Sequence, residues 1–169
     1  YGKSGLNLEE SQSFNYTYPN PYVKSQQMVE EIIRDTFRTD HEWNIAILRL
    51  SNIAGAFEHG ILGEVVAPLP KNIIPLAMQV AVQQREAIEL RQQANTADQT
   101  AERSFVHVLD VCEAVIASLH WLFEQTHSCE AFNIAGEVVS IQQLLSRIAE
   151  VTDAEIATVS AIHYEYPEL

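Results

Sequence analysis

The chain has 169 residues, with 10 Lys+Arg against 23 Asp+Glu and a formal net charge of −13. With 47% hydrophobic and 20% charged residues, it has an ordinary globular composition, and 1–169 reads as a single domain able to bury a core. Such acidity excludes a nucleic-acid face and disfavours an anionic membrane surface, though a few local arginines can still grip a small anion.

Residues 1–19 are polar and aromatic without period and read as loop. Asn20-Pro21 signals a helix start, Asn as N-cap and Pro at the first helical position. The spacing predicts a helix over 21–38, with Val29, Ile32, Ile33 and Thr36 on one stripe. Residues 44–50, Asn-Ile-Ala-Ile-Leu-Arg-Leu, read as a strand of a parallel sheet, apolar on both faces. Residues 52–71 hold three of the six glycines and two prolines and read as a long irregular loop. Asn72 opens a second helix through Ile73, Leu76, Ala77 and Val80.

Further on, 87–90 suggests a short strand, 92–102 an exposed loop and 104–108 another strand. Asp110 and Glu113 resemble a capping box ahead of Val111, Ala114, Val115, Leu119 and Leu122. Residues 131–135 read as a strand, and Ser140 with Gln143 as a second capping box before Ile141, Leu144, Leu145 and Ile148. The tail, 151–169, is weakly patterned. Alternating strands and helices predict an α/β fold, whose ligands bind beyond the carboxyl ends of the strands.

Local motifs exclude several chemistries. No three glycines make G-x-G-x-x-G, and no P-loop or G-x-S-x-G elbow is present. Six histidines are scattered without metal-ligand spacing; His120 and His127 with Cys112 and Cys129 read as ordinary core and surface residues, so no metal is expected. Asn15-Tyr16-Thr17 is a formal glycosylation sequon. No apolar run nears the ~20 residues that span a bilayer. No signal-peptide pattern opens the sequence. The two cysteines read as reduced thiols, so the expected location is the cytoplasm.

One ordered series is more specific. It runs through Asn20-Pro21-Tyr22-Val23-Lys24-Ser25-Gln26 and on to Glu30, then Leu48-Arg49-Leu50-Ser51-Asn52-Ile53-Ala54-Gly55-Ala56. Gly60-Ile61-Leu62-Gly63-Glu64, Pro70-Lys71-Asn72-Ile73-Ile74-Pro75 and Arg103-Ser104-Phe105-Val106-His107-Val108-Leu109-Asp110 follow. In order and spacing these resemble the C-terminal half of UDP-glucose 4-epimerases, which belong to the extended short-chain dehydrogenase/reductase family. The resemblance covers about residues 1–150.

The resemblance implies the later strands of a Rossmann-like parallel sheet and part of a small substrate-binding lobe. It also implies a mechanism in which NAD takes hydride from C4 of a UDP-hexose and returns it to the other face. Tyr22 falls on the general base, which also meets the cofactor. Asn52, Asn72, Ile73 and Arg103 fall on substrate contacts, Arg103 as a bidentate diphosphate grip. Tyr1-Gly2 looks like the end of the family segment that supplies the catalytic serine or threonine just upstream. The resemblance further implies a homodimer through the helix 21–38.

The departures are equally specific. The lysine that lowers the tyrosine pKa is Gln26, and a neutral amide cannot stabilise a phenolate as a cation does. Lys24 is two residues from Tyr22, a rotation of about 200° on a helix, so it points away. An aromatic position near the nicotinamide is Leu50, an aspartate position is Ser104, and the late Arg-x-x-Gly-Asp clamp is not found. The glycine-rich half of the family fold is not in this sequence, so NAD is not expected to bind to this chain alone. The expectation is an impaired epimerase portion. The alternatives are a non-catalytic scaffold derived from that family, or another nucleotide-sugar epimerase, dehydratase or decarboxylase.

Overall fold

A computed structural model describes residues 8–14, 20–40, 42–65, 70–92 and 96–161. The Asn15–Thr17 sequon, Tyr1-Gly2 and the end of the tail from 162 lie outside the described residues. The architecture is α/β, and the chain divides into two compact units, one formed by residues 1–51 with 109–135 and the other by 52–108 with 136–169.

The first unit begins with helix α1, Pro21–Thr39. Asn20 caps it as the sequence predicts: its Oδ1 accepts from the backbone N–H of Tyr22 at 3.0 Å and of Val23 at 3.2 Å. Strands β1, Ile45–Leu50, and β5, Cys129–Ile134, pair in parallel from Ile45↔Cys129 to Leu50↔Ile134. Asn44 steadies the start of the pair: its Nδ2 donates to the Gln125 carbonyl and its Oδ1 accepts from Ser128 N–H, both at 3.0 Å. Helix α3, Val108–Glu124, packs Trp121 edge-on against Phe132 of β5, ring centres 5.2 Å apart. Phe37 of α1 stacks on His127 at 4.2 Å.

One apolar stripe lies off the buried face, and one expected cap fails. The stripe of Val29, Ile32, Ile33 and Thr36 is not the buried face of α1: Val29 and Ile32 are half or more exposed, and the buried residues are Gln27 and Glu30. Apolar periodicity marks where a helix is greasy, and α1 carries apolar residues on more than one side. Nor does Asp110 cap α3. The helix follows directly after His107, so Asp110 lies inside its first turn.

The second unit holds β2, Asn52–Ala54, and β4, Glu102–His107, paired in parallel, and β6, Val138–Ser140, antiparallel to β4. A separate parallel pair joins β3, Ile88–Leu90, to β7, Thr158–Ser160. Helices α2, Ile73–Ala81, and α4, Ile141–Thr152, close a core of Ala77, Val80, Ile88, Ile141 and Leu145. Their apolar residues fall three and four apart, which places them on one helix face. The strands β2, β6 and β7 are three residues each, too short for period-two alternation to be visible.

The Ser140–Gln143 capping box forms as read: Gln143 N–H reaches Ser140 Oγ at 3.1 Å, and Ser140 N–H reaches Gln143 Oε1 at 3.0 Å. It extends into the stretch read as exposed loop. Asp98 accepts from Ser140 Oγ and from Thr100, through its N–H at 2.9 Å and its hydroxyl at 2.8 Å, and Thr100 is buried. The end of that loop is therefore pinned to the start of α4 by polar contacts, which an apolar pattern does not reveal.

Gly136 stands where β5 gives way to β6. A Cβ there lies 2.0 Å from the Phe105 carbonyl oxygen, which is backbone and cannot swing aside. Gly136→Ala is expected to cost about 1–3 kcal/mol through overpacking, read as a lower denaturant midpoint at unchanged m-value. An unshifted midpoint contradicts the close approach.

Candidate functional site

Tyr22 occupies the second position of α1. The residue is 72% exposed, and its carbonyl accepts from Ser25 Oγ at 2.7 Å. Gln26 follows one turn later and is exposed, as is Lys24. The structure thus keeps Tyr22 and Gln26 neighbours along the helix, with an amide at the position one turn from the phenol.

Below them α1 turns a charge inward. Glu30 is 6% exposed. The guanidinium of Arg49 on β1 forks onto it: Nε donates to Oε2 at 3.0 Å and Nη2 to Oε1 at 2.5 Å. Arg34 donates to the same Oε1 from Nη2 at 2.9 Å and from Nε at 3.2 Å. Arg49 also donates from Nη1 to the Glu10 carbonyl at 3.1 Å and lies over the Phe14 ring at 5.3 Å. Segment 8–14 is held from β5 as well. Asn133 N–H donates to Glu10 Oε1 at 2.8 Å, and its Nδ2 donates to the Leu8 carbonyl at 3.0 Å.

A cleft of about 460 Å³ runs between this segment and α1, walled by Glu10, Phe14, Glu30, Arg34, Arg38 and Arg49 among others; Tyr22 is not one of its walls. Burial pushes the Glu30 carboxyl up, but the hydrogen bonds and charges of Arg49 and Arg34 together outweigh it and hold it below the usual carboxylate value. The Asn133 N–H does the same, foremost, for Glu10.

Sequence reasoning missed this hub. The signal was available: Arg49 is the lone charge in the strand Asn-Ile-Ala-Ile-Leu-Arg-Leu, and a charge inside an apolar strand needs a partner.

The other four predicted residues lie in the second unit. Asn52 on β2 sits opposite Phe105, and its Nδ2 donates to the Ser104 carbonyl at 2.9 Å. Arg103 lies two residues before Phe105 on β4, so the sheet brings Asn52 and Arg103 onto adjacent strands. The Arg103 Nη1 donates to the Glu102 carbonyl at 3.0 Å, and its side chain is exposed. Asn72 takes the N-cap conformation of α2, φ −83° and ψ 146°, without a capping hydrogen bond from its side chain. Ile73 begins the helix and packs against the core. The first turn of α2 contains no acidic residue, so its open N–H groups face no competing carboxylate within the helix.

His107 and Gly55 explain each other. Gly55 has φ +86°, and a Cβ there meets His107 Nε2 at 2.2 Å. The imidazole at the end of β4 therefore packs where only a glycine leaves room. Among the thiols, Cys112 is exposed and Cys129 half-buried, both unbridged. Burial, foremost, pushes the Cys129 thiol up, which keeps it protonated and inert.

Because the Glu30 carboxyl titrates below its unfolded value of about 4.3, its stabilisation is complete above that value and is lost as pH falls through the folded one. Glu30→Gln is therefore expected to flatten the acid limb of the stability curve, measured by denaturant unfolding between pH 3 and 7 (roughly the range that carboxylates titrate). The limb does not vanish, because Glu10, Asp98 and Glu137 are shifted the same way. An unchanged limb contradicts the hub.

Comparisons with known proteins place the chain as a whole. The profile of the "NAD dependent epimerase/dehydratase family" matches residues 1–135. The rice protein named UDP-glucose 4-epimerase 4 is 35% identical over 161 residues, 94% of this chain and 43% of that protein. Human UDP-glucose 4-epimerase is 35% identical over 139 residues, 81% of this chain and 40% of that protein. The chain thus spans less than half the length of these relatives.

Among solved structures, the Stenotrophomonas maltophila UDP-glucose 4-epimerase with bound NAD and formylated UDP-arabinopyranose matches with a TM-score of 0.86 at 25% identity, covering 96% of this chain and 48% of that one. The Bifidobacterium longum enzyme in complex with NAD+ and UDP matches at 0.85 and 26%, covering 93% and 47%. The parallel strands and their helices are similar to the Rossmann-like fold of those enzymes. With its fold matched along nearly all its length and its sequence along most of it, the chain belongs to the NAD dependent epimerase/dehydratase family.

Proposed function

We propose that this chain is the substrate-binding portion of a UDP-hexose 4-epimerase that retains a uridine-diphosphate site and is impaired in turnover. The observation that carries the reading is α2: an N-terminus with an uncapping Asn72, no acid in its first turn and Lys71 just before it. A helix start of this kind offers N–H donors and positive potential to a phosphate. Arg103 adds a planar fork that fits a second phosphate oxygen pair, and Asn52 on the adjacent strand supplies an amide. The relatives whose complexes contain UDP or a UDP-sugar support this ligand class.

Tyr22 is the proton-accepting phenol in this reading. Gln26, in place of an ammonium, leaves it unarmed, since a cation within ~4–6 Å typically lowers such a pKa by about 1–3 units. NAD, which supplies hydride transfer when bound to relatives, does not fit the residues described here taken alone. Of the described glycines, Gly55 and Gly136 face an imidazole and a strand carbonyl rather than an open cradle.

Calorimetric titration with UDP is expected to give saturable binding. Arg103→Ala is expected to weaken it about tenfold or more, from losing charged hydrogen bonds of about 1.5–3 kcal/mol. Absence of any UDP binding overturns the retained site, and UDP-galactose turnover at rates typical of enzymes, about 1–10³ s⁻¹, overturns the impairment.

A second reading, a scaffold that works by association, is favoured by α1. Met28, Val29 and Ile32 are exposed at 51%, 50% and 64%, an apolar stripe suited to a second copy of the same helix. This makes the chain a homodimer through 21–38. No helix among the described residues is long and apolar enough to cross a membrane, and the unbridged thiols fit a cytoplasmic location. Light scattering is expected to give twice the 19.0 kDa chain mass, and Ile32→Glu to halve it; a wild-type monomer at high concentration contradicts the pairing.

A further inference from the structure

We propose that Glu30 is a positioning residue: through Arg49 it sets the rotation of α1 about its own axis and so decides where Tyr22 is presented. The inference rests on the reading of Tyr22 as the reacting phenol.

Helix α1 has two apolar stripes. Val23, Ile33 and Phe37 lie on the half-buried side, while Met28, Val29 and Ile32 lie outside. Both hold three apolar side chains of similar size, so burial of apolar area decides little between the two settings. At 100° per residue, Ile32 stands about 200° round from Glu30. Turning the helix to bury Ile32 carries Tyr22 round by about half a turn.

What distinguishes the settings is charge. Glu30 is the midpoint of the 19-residue helix. Its carboxylate receives a two-point fork from Arg49, whose side chain is itself only 14% exposed. In the alternative setting, Arg49 stays in β1 with its carboxylate withdrawn, and an uncompensated buried charge is strongly unfavourable. A fork also fixes direction as well as distance, because both oxygens must meet both nitrogens. The same Arg49 holds Glu10 and Phe14, so the segment leading toward the helix start is fastened to the same point.

The test uses the full chain. In a Gln27→Cys background, the introduced thiol sits at a position 3% exposed. Its alkylation is followed by peptide mass spectrometry, with the exposed Cys112 as internal reference. The Tyr22 ring resonances are assigned with Tyr22→Phe. Replacing both charges, Glu30→Leu with Arg49→Leu, keeps the interior filled and apolar. The expected result is a folded protein in which the position-27 thiol loses protection by about tenfold or more and the Tyr22 ring resonances move or broaden.

If the folded double variant keeps both protection and resonances, the pair is merely structural and the proposal falls. Should the double variant fail to fold, Glu30→Gln, which keeps shape and removes charge, is read the same way: broadened Tyr22 resonances support the proposal and unchanged ones overturn it. UDP binding by the unsubstituted chain reports separately. Its absence alongside lost thiol protection refutes the functional reading while leaving the positioning intact.

Discussion

The contact between the Glu30 carboxylate and the Arg49 guanidinium is the constraint on which the first unit depends. Three segments meet there: α1 through Glu30 and Arg34, β1 through Arg49, and residues 8–14 through Glu10 and Phe14. A buried ion pair contributes little net stability, since desolvation offsets most of the attraction. Its weight lies in what it forbids. Removing one partner costs about 3–5 kcal/mol, so arrangements that separate the charges are excluded even where their apolar packing is adequate. Two similar apolar stripes on α1 make that exclusion decisive.

The second unit uses one carboxylate and neutral donors to the same end. Asp98, Thr100, Ser140 and Gln143 satisfy one another at the start of α4, so a polar loop is fastened to a helix by donors that otherwise stay unpaired. Gly136 then lets β4 approach the entry to β6 closely enough that Ser104 Oγ reaches the Gly136 carbonyl at 3.1 Å. Arg103 stands immediately before that contact. Its place on β4 follows from the Arg103↔Val139 register, and Asn52 follows from the Asn52↔Phe105 register. The candidate diphosphate residues therefore depend on backbone fit rather than on contacts among themselves.

This explains which parts were legible beforehand. Asn20-Pro21 and Ser140 with Gln143 are local signals, complete within four residues, and both caps form where they were read. Strands β1 and β5 were each read from an apolar run, 44–50 and 131–135, but their parallel pairing across the intervening elements was not. Asn72 was half legible: it takes the capping conformation, but its side chain does not cap. The buried face of α1 was not legible from periodicity, because what orients it is a contact to Arg49, nineteen residues away. The strands β2 and β7 escaped because three residues carry no period and their partners, β4 and β3, lie far along the chain.

The position of Gln26 closes the argument about function and stability. It lies on the exposed side of α1, away from the Glu30 hub that orients the helix. Substitutions at such exposed helical sites usually change stability by less than about 0.5 kcal/mol. An ammonium exchanged there for an amide leaves the hub, the cap and the sheet unaffected, while removing the one charge an adjacent phenol needs in the proposed chemistry. Folding constrains Glu30 and Arg49 and is indifferent to residue 26. In the proposed reading, a chain of this family can therefore lose its reaction and keep its fold.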